Sequence, residues 1–346
     1  MATRRSFALA LLAATAIGGL APSPAAAQGE LVLYCSVQEE WCRPMAQAFE
    51  RATGIKVAMT RKSSGETYAQ IKAEAANPRG DVWWGGTGDP HLQAAEENLT
   101  EPYKSAKLGE LLPWAVKQAE QSGFKTVGIY AGALGFSFNK EQIARKKLPE
   151  PKCWADLAKP EYKDEVQVAD PNSSGTAYTK VATLIQLFGE DKAFELMKAM
   201  HKNINQYTKS GAAPARAAAT GESLIGITFL HDAVTQAVSG APVQIVAPCE
   251  GTGYEIGSMS IIKGAKNMEN AKKFYDWALT PEAQRIALSA KSYQVPSNKA
   301  SEVPKESPNL SEIKLIDYNF AKYGSSAERT RILQKWDAEV RNAPRR

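Results

Sequence analysis

Short apolar runs alternate with helical patterns along the first third of the chain, and this alternation constrains the fold more than any other feature. Runs at 31–34, 55–60 and 81–84 have the length of buried strands. Helical patterns follow at 39–52 and 67–76. Strands and helices that alternate with short connections predict an α/β fold, with an open, mostly parallel sheet and helices on both faces.

The same alternation recurs after a boundary at 127–140. Apolar runs predict strands at 166–169 and 224–229, and helices are predicted to begin near residues 175 and 190. The middle of the chain therefore forms a second α/β unit.

A further apolar run at 258–262 and an amphipathic helix at 267–279 return the chain to the first unit. We therefore expect two α/β lobes joined by two crossing segments. The boundaries are 28–130 and 258–298 for the first lobe, 131–257 for the second, and 299–346 for a helical C-terminal segment that the sequence assigns to neither lobe.

Residues 1–27 have the pattern of an export signal. Arg4 and Arg5 precede an apolar run of about 14 residues, well short of the roughly 20 needed to span a bilayer, and small residues follow. We expect cleavage after Ala27 and an exported, soluble mature protein. Residues 3–9 also resemble a twin-arginine signal, so both export routes stay open.

Export favours disulfides over free thiols, because it places the cysteines in an oxidising compartment. Cys35, Cys42, Cys153 and Cys249 allow three pairings. We expect Cys35 to pair with Cys42 and Cys153 with Cys249. The first pair joins a predicted strand end to the first turns of the next helix, a separation that a disulfide can bridge. Buried free thiols are the alternative.

The charge balance argues against a nucleic-acid partner. The chain has 42 Lys and Arg against 37 Asp and Glu, a net charge of +5, and its longest basic cluster is 145–147. The three histidines, His91, His201 and His231, are far apart in the sequence. A multi-histidine metal site is therefore not expected, and no metal or cofactor is predicted.

Serine, threonine and glycine residues gather at the predicted carboxyl ends of the strands, where ligands bind in open α/β sheets. Several helix N-termini and hydroxyl donors that face one point would bind an anion without a full cation. Helix capping is the simpler explanation of any single loop, but five loops on one edge favour a ligand. The candidate residues are Ser36, Ser64, Gly65, Thr87, Ser173, Ser174, Gly175, Thr176, Ser210 and Gly211.

An acidic group accompanies these loops. His231 and Asp232 follow the predicted strand at 224–229, and Glu255 follows a flexible, glycine-containing stretch at 251–254. Carboxylates accept hydrogen bonds from hydroxyl or ammonium groups. Taken alone, each residue is a cap or a surface group. Together with the anion site, they predict a ligand with a phosphoryl or phosphonyl end and a polyol or amine end.

Established catalytic motifs are absent from the sequence or unsupported. An S-x-x-K match at 311–314 lacks the S-D-N and K-T-G elements that would accompany it. His231 beside Asp232 could act in acid–base chemistry, but no nucleophile in a recognisable setting accompanies the pair. We therefore expect that the protein is not an enzyme, with a secreted hydrolase that uses His231 as the alternative.

Several longer segments together resemble one protein family. They include GDVWWGG, GALGFSFNK, CWADLAKPEYKDEVQVADPNSSGTAY, GEDKAFELMKAM, SGAAPARAAATGE and IIKGAKNMENAKKFYDWALTPEAQ. As a set they resemble the periplasmic solute-binding proteins of ABC transporters, in the group that binds ferric iron, thiamine, aminoethylphosphonate or hexose phosphates. The resemblance implies a type II two-lobe clamp in the periplasm, a monomer by default, that closes on a solute and presents it to a membrane permease.

Within this group the sequence is most similar to the hexose-phosphate binders. FLHDAVTQ followed by EGTGYE matches their pattern, in which a His-Asp pair and a later Glu hold sugar hydroxyls. These roles would fall on His231, Asp232 and Glu255, with phosphate contacts on the Ser, Thr and Gly loops. In the aminoethylphosphonate alternative, the acidic residues meet an amine. The ferric-iron alternative lacks the adjacent tyrosines of those family members, since all the tyrosines here are isolated.

Overall fold

The computed structural model describes residues 29–344, so the predicted export signal, residues 1–27, lies outside the described residues. The strands are β1 Glu30–Cys35, β2 Lys56–Arg61, β3 Val82–Thr87, β4 Thr100–Glu101, β5 Val127–Asn139, β6 Val166–Ala169, β7 Ile204–Thr208, β8 Ile225–Phe229, β9 Val243–Val246, β10 Tyr254–Ile262 and β11 Val295–Pro296. The α-helices are α1 Glu39–Thr53, α2 Ser64–Ala73, α3 Gly88–Glu96, α4 Pro113–Gln121, α5 Lys140–Lys146, α6 Gly175–Phe188, α7 Glu190–His201, α8 Ala213–Thr220, α9 Leu230–Val238, α10 Met268–Ala278, α11 Pro281–Gln284, α12 Ile286–Ser289, α13 Phe320–Tyr323 and α14 Ser326–Trp336.

The first half of the sheet has the strand order β2-β1-β3-β10-β5. Strand β1 pairs in parallel with β2 and β3, as the alternation of strands and helices predicts. Strand β10 is antiparallel to both β3 and β5. This half of the sheet is therefore mixed, because β10 runs against β1, β2 and β3.

The second half continues from β5 in the order β5-β8-β6-β7. Strand β6 is parallel to β7 and β8, whereas β5 is antiparallel to β8 and β9. Each half thus has a group of parallel strands flanked by helices, together with one antiparallel strand. That strand is β10 in the first half and β5 in the second.

Strand β5 replaces the boundary that the sequence predicts at 127–140. It is one continuous strand of 13 residues, all of them buried. Its first part pairs with β10 and its second part with β8 and β9. A strand buried on both faces lacks alternation of apolar and polar residues, which is why the pattern did not predict it.

Two large hydrophobic cores lie on the two halves of the sheet. The first contains Trp41 and the second contains Trp154. The change from one core to the other takes place within β5, since Tyr130 belongs to the first and Leu134 to the second. The lobe boundaries at residues 130 and 257 stay predictions.

The C-terminal segment packs on the second core, where Tyr318, Ile332 and Trp336 are buried. It also reaches the first half of the sheet: Nη1 of Arg329 donates to Oε1 of Gln93 at 3.3 Å. This segment therefore contacts both halves, which explains why sequence patterning alone assigned it to neither.

Both disulfides have the expected pairing, Cys35 with Cys42 and Cys153 with Cys249. The first joins the end of β1 to the first turn of α1. The second joins residues 96 positions apart in the sequence.

Among residues 29–344, no helix is both long enough and apolar enough to cross a membrane.

Candidate functional site

A cavity with about 420 Å³ of empty space lies where β1, β2, β3 and β8 end. Both halves of the sheet contribute to its walls. The lining residues are Ser36, Val37, Gln38, Arg61, Ser63, Ser64, Gly86, Thr87, Tyr130, Ser174, Gly175, Thr176, Ser210, Gly211, Ala212, Phe229, His231, Asp232, Glu255 and Gln294.

Five helices begin at this cavity. The N-cap residue of each helix lines the wall; these residues are Ser63 of α2, Thr87 of α3, Ser174 of α6, Ala212 of α8 and Phe229 of α9. A helix N-terminus has N–H groups without intrahelical partners and a partial positive charge. Their convergence on one space favours a ligand with an anionic group.

Serine hydroxyl groups on the first half of the sheet are held by buried hydrogen bonds. Nε1–H of Trp83 donates to Oγ of Ser36 at 2.9 Å. The backbone N–H of Thr87 donates to Oγ of Ser64 at 3.3 Å, which leaves the proton of that hydroxyl for another acceptor. These contacts fix the positions of both hydroxyls at the cavity wall.

Glycine allows the backbone to approach the serines closely. Gly86 has φ of +85°, and a Cβ atom added there would lie 2.4 Å from Oγ of Ser64. On the second half, a Cβ atom added to Gly211 would lie 2.1 Å from Oγ1 of Thr176. Larger residues at either position would displace a hydroxyl of the cavity wall.

Arg61, the last residue of β2, places a guanidinium at the cavity. Its Nε–H donates to the carbonyl oxygen of Val37 at 2.9 Å, and Nη2 donates to Oγ of Ser210 at 3.4 Å. Burial lowers the pKa of Arg61 from its usual value, but arginine stays protonated in proteins. The cavity wall therefore carries a full positive charge.

The acidic group also lines the cavity. Nε2 of His231 lies 3.7 Å from Oε1 of Glu255 and 3.9 Å from Oδ1 of Asp232. Glu255 is in β10, and this strand already begins at Tyr254, within the stretch that the sequence predicts to be flexible. A Cβ atom added to Gly132 would lie 2.4 Å from Nδ1 of His231, so this imidazole needs a glycine beside it.

Burial shifts the ionisation of this group. It raises the pKa of Glu255 well above the usual carboxyl value, and the charges of Asp232 and Asp89 raise it further. Burial lowers the pKa of His231, an effect that the Asp232 charge opposes. Neutral forms of both side chains are therefore favoured, so the group can donate as well as accept hydrogen bonds.

Asp232 is held from both halves of the sheet. Oγ1 of Thr228 donates to its Oδ2 at 3.0 Å, and Nε2 of Gln38 donates to its Oδ1. Phe229 stacks against His231 with ring centroids 5.5 Å apart. The carboxylate and the imidazole thus have fixed orientations at the N-terminus of α9.

Several polar atoms on lining residues are buried and have no hydrogen-bond partner within residues 29–344. They include Oε1 of Gln38, Oγ1 of Thr87, Nδ1 of His231 and Oε1 of Gln294. An unsatisfied buried polar atom costs roughly 1–3 kcal/mol. The cavity wall therefore has an unused capacity for hydrogen bonds.

Most of the residues singled out in the sequence line this one cavity. Gly65 and Ser173 do not: the backbone N–H of Gly65 donates to the carbonyl oxygen of Ser173 at 3.0 Å. These two residues connect the two halves of the sheet beside the cavity. The residues that the structure brings to the wall as expected are Ser36, Ser64, Thr87, Ser174, Gly175, Thr176, Ser210, Gly211, His231, Asp232 and Glu255.

Four polar lining residues escaped the sequence reasoning: Gln38, Arg61, Tyr130 and Gln294. Arg61 ends a predicted strand, so its position carried a usable signal. Tyr130 lies inside β5, where its hydroxyl accepts from the N–H of Gly86 at 3.0 Å. Gln294 immediately precedes β11, a two-residue strand that pairs with β5. No sequence pattern indicates the pairing that brings these last two residues to the wall.

Clusters of metal-ligating side chains are rare among the described residues. Only Cys153, Cys249 and Glu250 place three candidate ligand atoms within 4.8 Å of one another there, and both cysteines are disulfide-bonded. His231, Asp232 and Glu255 do not form such a group.

Comparison with known proteins gives consistent results. A family model described as bacterial extracellular solute-binding protein matches residues 87–323. The chain is similar to the periplasmic binding protein AfuA from Actinobacillus pleuropneumoniae, whose structure was solved with exogenous fructose-6-phosphate bound. The two are 46% identical with a TM-score of 0.89, over 91% of this chain and 100% of that one.

Two further proteins extend the comparison. The periplasmic binding protein P5PA is 40% identical with a TM-score of 0.88, over 90% of this chain and 100% of that one. The Fe(3+)-binding periplasmic protein of Serratia marcescens is 24% identical over 293 residues, which are 83% of this chain and 84% of that protein. The similarity thus includes proteins whose names indicate different solutes.

Proposed function

Because this chain belongs to the bacterial extracellular solute-binding proteins, we propose that it binds a small phosphorylated organic solute in the cavity and delivers it to the permease of an ABC importer. We propose a sugar phosphate, such as a hexose phosphate, as the solute. The family and the type II α/β fold predicted from the sequence are confirmed by the comparisons.

One observation carries the proposal: the cavity has two chemically different parts. The N-termini of α2, α3, α6 and α8, hydroxyl groups and Arg61 form one part, which suits a phosphoryl group. His231, Asp232 and Glu255 form the other, which suits the hydroxyls of a sugar. A sugar phosphate combines both kinds of group in one small molecule.

The relatives are periplasmic binding proteins, and proteins of this kind bind small solutes for ABC import. We infer a periplasmic location and export by the N-terminal segment, by the general or the twin-arginine route, followed by action as a monomer. The similarity to AfuA, whose structure holds fructose-6-phosphate, supports a hexose phosphate as the solute.

Aminoethylphosphonate is the alternative that shares most of this chemistry. Its phosphonate would meet the helix N-termini, and its ammonium would meet Asp232 and Glu255. The raised pKa of Glu255 disfavours it, because a protonated carboxyl gives an ammonium no counter-charge. A sugar hydroxyl, in contrast, can both donate to and accept from such a group.

Ferric iron fits the cavity less well, because Tyr130 is the single tyrosine among the described lining residues and its hydroxyl accepts from Gly86. A thiamine solute would need a site for a cationic ring, and Arg61 disfavours that.

We also propose that the protein is not an enzyme. A hydrolase that uses His231 would release inorganic phosphate from phosphate esters, and His231→Ala would abolish that turnover.

Calorimetry on the purified mature protein tests the proposal. Titrations would use glucose 6-phosphate, fructose 6-phosphate, glucose, inorganic phosphate, 2-aminoethylphosphonate and ferric citrate. We expect a hexose phosphate to bind at least about 100-fold more tightly than glucose or inorganic phosphate, since each fills only part of the cavity. Binding of glucose alone, or of none of the phosphorylated compounds, would contradict the proposal.

A further inference from the structure

Arg61 supplies a charge that the loops themselves do not provide. The sequence predicts an anion site made of neutral donors, yet the structure places this guanidinium at the cavity. Of the lining residues that the structure describes, Arg61 is the one lysine or arginine. Its position at the end of β2, beside the N-terminus of α2, puts the charge next to the Ser63 and Ser64 donors.

Two of the five N–H donors of the Arg61 guanidinium make hydrogen bonds within the protein. Of its five N–H donors, one on Nε bonds Val37 and one on Nη2 bonds Ser210, while the remaining three have no hydrogen-bond partner among residues 29–344. Nη1 and Nη2 together form one edge of the guanidinium, and such an edge can make paired bonds to two oxygens of a carboxylate or phosphate. The hydrogen bonds to Val37 and Ser210 orient the plane of the guanidinium.

The charges around Arg61 leave it without a close ion-pair partner. Glu66, Glu39 and Asp232 act on it only through longer-range attraction, and Arg216 repels it. No salt bridge joins Arg61 to any residue in the described part of the chain. A half-buried guanidinium in this setting gains most from an anion that enters the cavity itself.

We propose that Arg61 is the residue that makes the site selective for a dianionic phosphate ester, through paired hydrogen bonds from its free N–H groups to two phosphoryl oxygens. This inference rests on the proposed function, because it concerns the phosphoryl end of the solute. A phosphate ester carries between about −1.5 and −2 charges at neutral pH, whereas a sulfate ester of the same sugar carries one. The guanidinium of Arg61 should therefore favour the phosphate ester over the sulfate ester more strongly than neutral donors do.

The test compares glucose 6-phosphate with glucose 6-sulfate by calorimetry at one pH and salt concentration, on the wild type, Arg61→Gln, Arg61→Lys and Arg43→Gln. Arg43 is an exposed arginine of α1 that bonds Glu39 and lines no part of the cavity, so it controls for loss of one positive charge. Circular dichroism melts on all four proteins show whether each is folded.

We expect Arg61→Gln to weaken glucose 6-phosphate binding about 10- to 100-fold, the range for losing hydrogen bonds to a charged group. The sulfate should lose less, so the preference for phosphate over sulfate should narrow. Arg61→Lys should recover part of the affinity, since it keeps the charge without the guanidinium. Arg43→Gln should change neither affinity by more than about 2-fold.

Equal losses for both esters in Arg61→Gln would overturn the inference, because they would indicate that Arg61 only joins the two halves through Ser210. Unchanged affinities would overturn it too. If the wild type binds no sugar phosphate, the proposed function fails, and 2-aminoethylphosphonate and inorganic phosphate replace the esters. Arg61-dependent binding of either one would then still support the role of Arg61, and binding of neither would overturn both proposals.

Discussion

Gly175 and Thr87 meet across the cavity: a Cβ atom added to Gly175 would lie 1.8 Å from Oγ1 of Thr87. Thr87 ends β3 in the first half of the sheet, and Gly175 begins α6 in the second. No side chain fits at that separation, so the contact requires glycine. The N-termini of α3 and α6 therefore approach each other only because one of them lacks a side chain.

A Gly175→Ala substitution should weaken solute binding at least about 10-fold, a change of about 1.4 kcal/mol, because the added methyl group separates the two halves of the site. The folded state should be retained, since alanine is a better helix former than glycine. Calorimetry with fructose 6-phosphate gives the affinity. Gly109→Ala is the matched control, because its added Cβ atom meets nothing within 4 Å. Equal affinities in the two variants would show that binding does not need the Gly175–Thr87 approach.

Removal of the Asp232 carboxylate should weaken binding by about 1–3 kcal/mol, the cost of leaving buried donors without their acceptor. Asp232 accepts from Thr228 and Gln38 and lines the cavity. Calorimetry on Asp232→Ala measures the loss. Glu195→Ala removes an exposed negative charge from α7 and should leave the affinity unchanged. If Asp232→Ala binds hexose phosphate as tightly as the wild type, Asp232 is not part of the solute site.

Glu255 should make the solute-free protein less stable as the pH rises. Burial raises its folded-state pKa above the ordinary value of 4.5. A carboxyl with a raised pKa contributes stability that is complete below 4.5 and is lost as the pH rises through the folded pKa, by at most about 1.4 kcal/mol per pH unit. Glu255→Gln has no carboxyl group to ionise at this position. In urea unfolding, its free energy of unfolding relative to that of the wild type should therefore rise from pH 5 to pH 8. The same measurement on Glu195→Gln, an exposed position of α7, is the control. A difference in stability between Glu255→Gln and the wild type that does not change with pH would show that burial does not raise the pKa of Glu255.

The two disulfides should differ in their contribution to stability. The pairs Cys35–Cys42 and Cys153–Cys249 span 7 and 96 residues. The chain-entropy model gives about 2.5 kcal/mol for the short loop and about 4.7 kcal/mol for the long one. Urea unfolding of the double variants Cys35→Ala/Cys42→Ala and Cys153→Ala/Cys249→Ala tests the order. A larger loss from the short loop would mean that native-state contacts, not loop length, dominate.

Local chemistry in the sequence was enough to find much of the site. Thr87 and Ser174 were identifiable because the residues that cap a helix after a strand also line the cavity in an open α/β sheet, and Ser64 directly follows such a cap. The parallel strands were predictable for the same reason, since each is a short apolar run followed by a helix. These features depend only on neighbours in the sequence.

Residues that reach the site through long-range pairing were not predictable. Tyr130 depends on the course of β5, which sequence patterning treated as a boundary. Gln294 depends on the pairing of β11 with β5. Gly65 and Ser173 are of the same residue types as those that line the cavity, yet they bond to each other beside it. Capping chemistry cannot distinguish a residue that faces a ligand from one that faces another loop.

The course of β5 limits how the two halves of the molecule can move. Ala133 of β5 pairs with Tyr254 of β10, and the N–H of Leu134 donates to the carbonyl oxygen of Gly253 at 3.0 Å. The two chain crossings are therefore hydrogen-bonded neighbours and cannot bend independently. A bend in one crossing would therefore have to bend the other with it, or break the hydrogen bonds that join them.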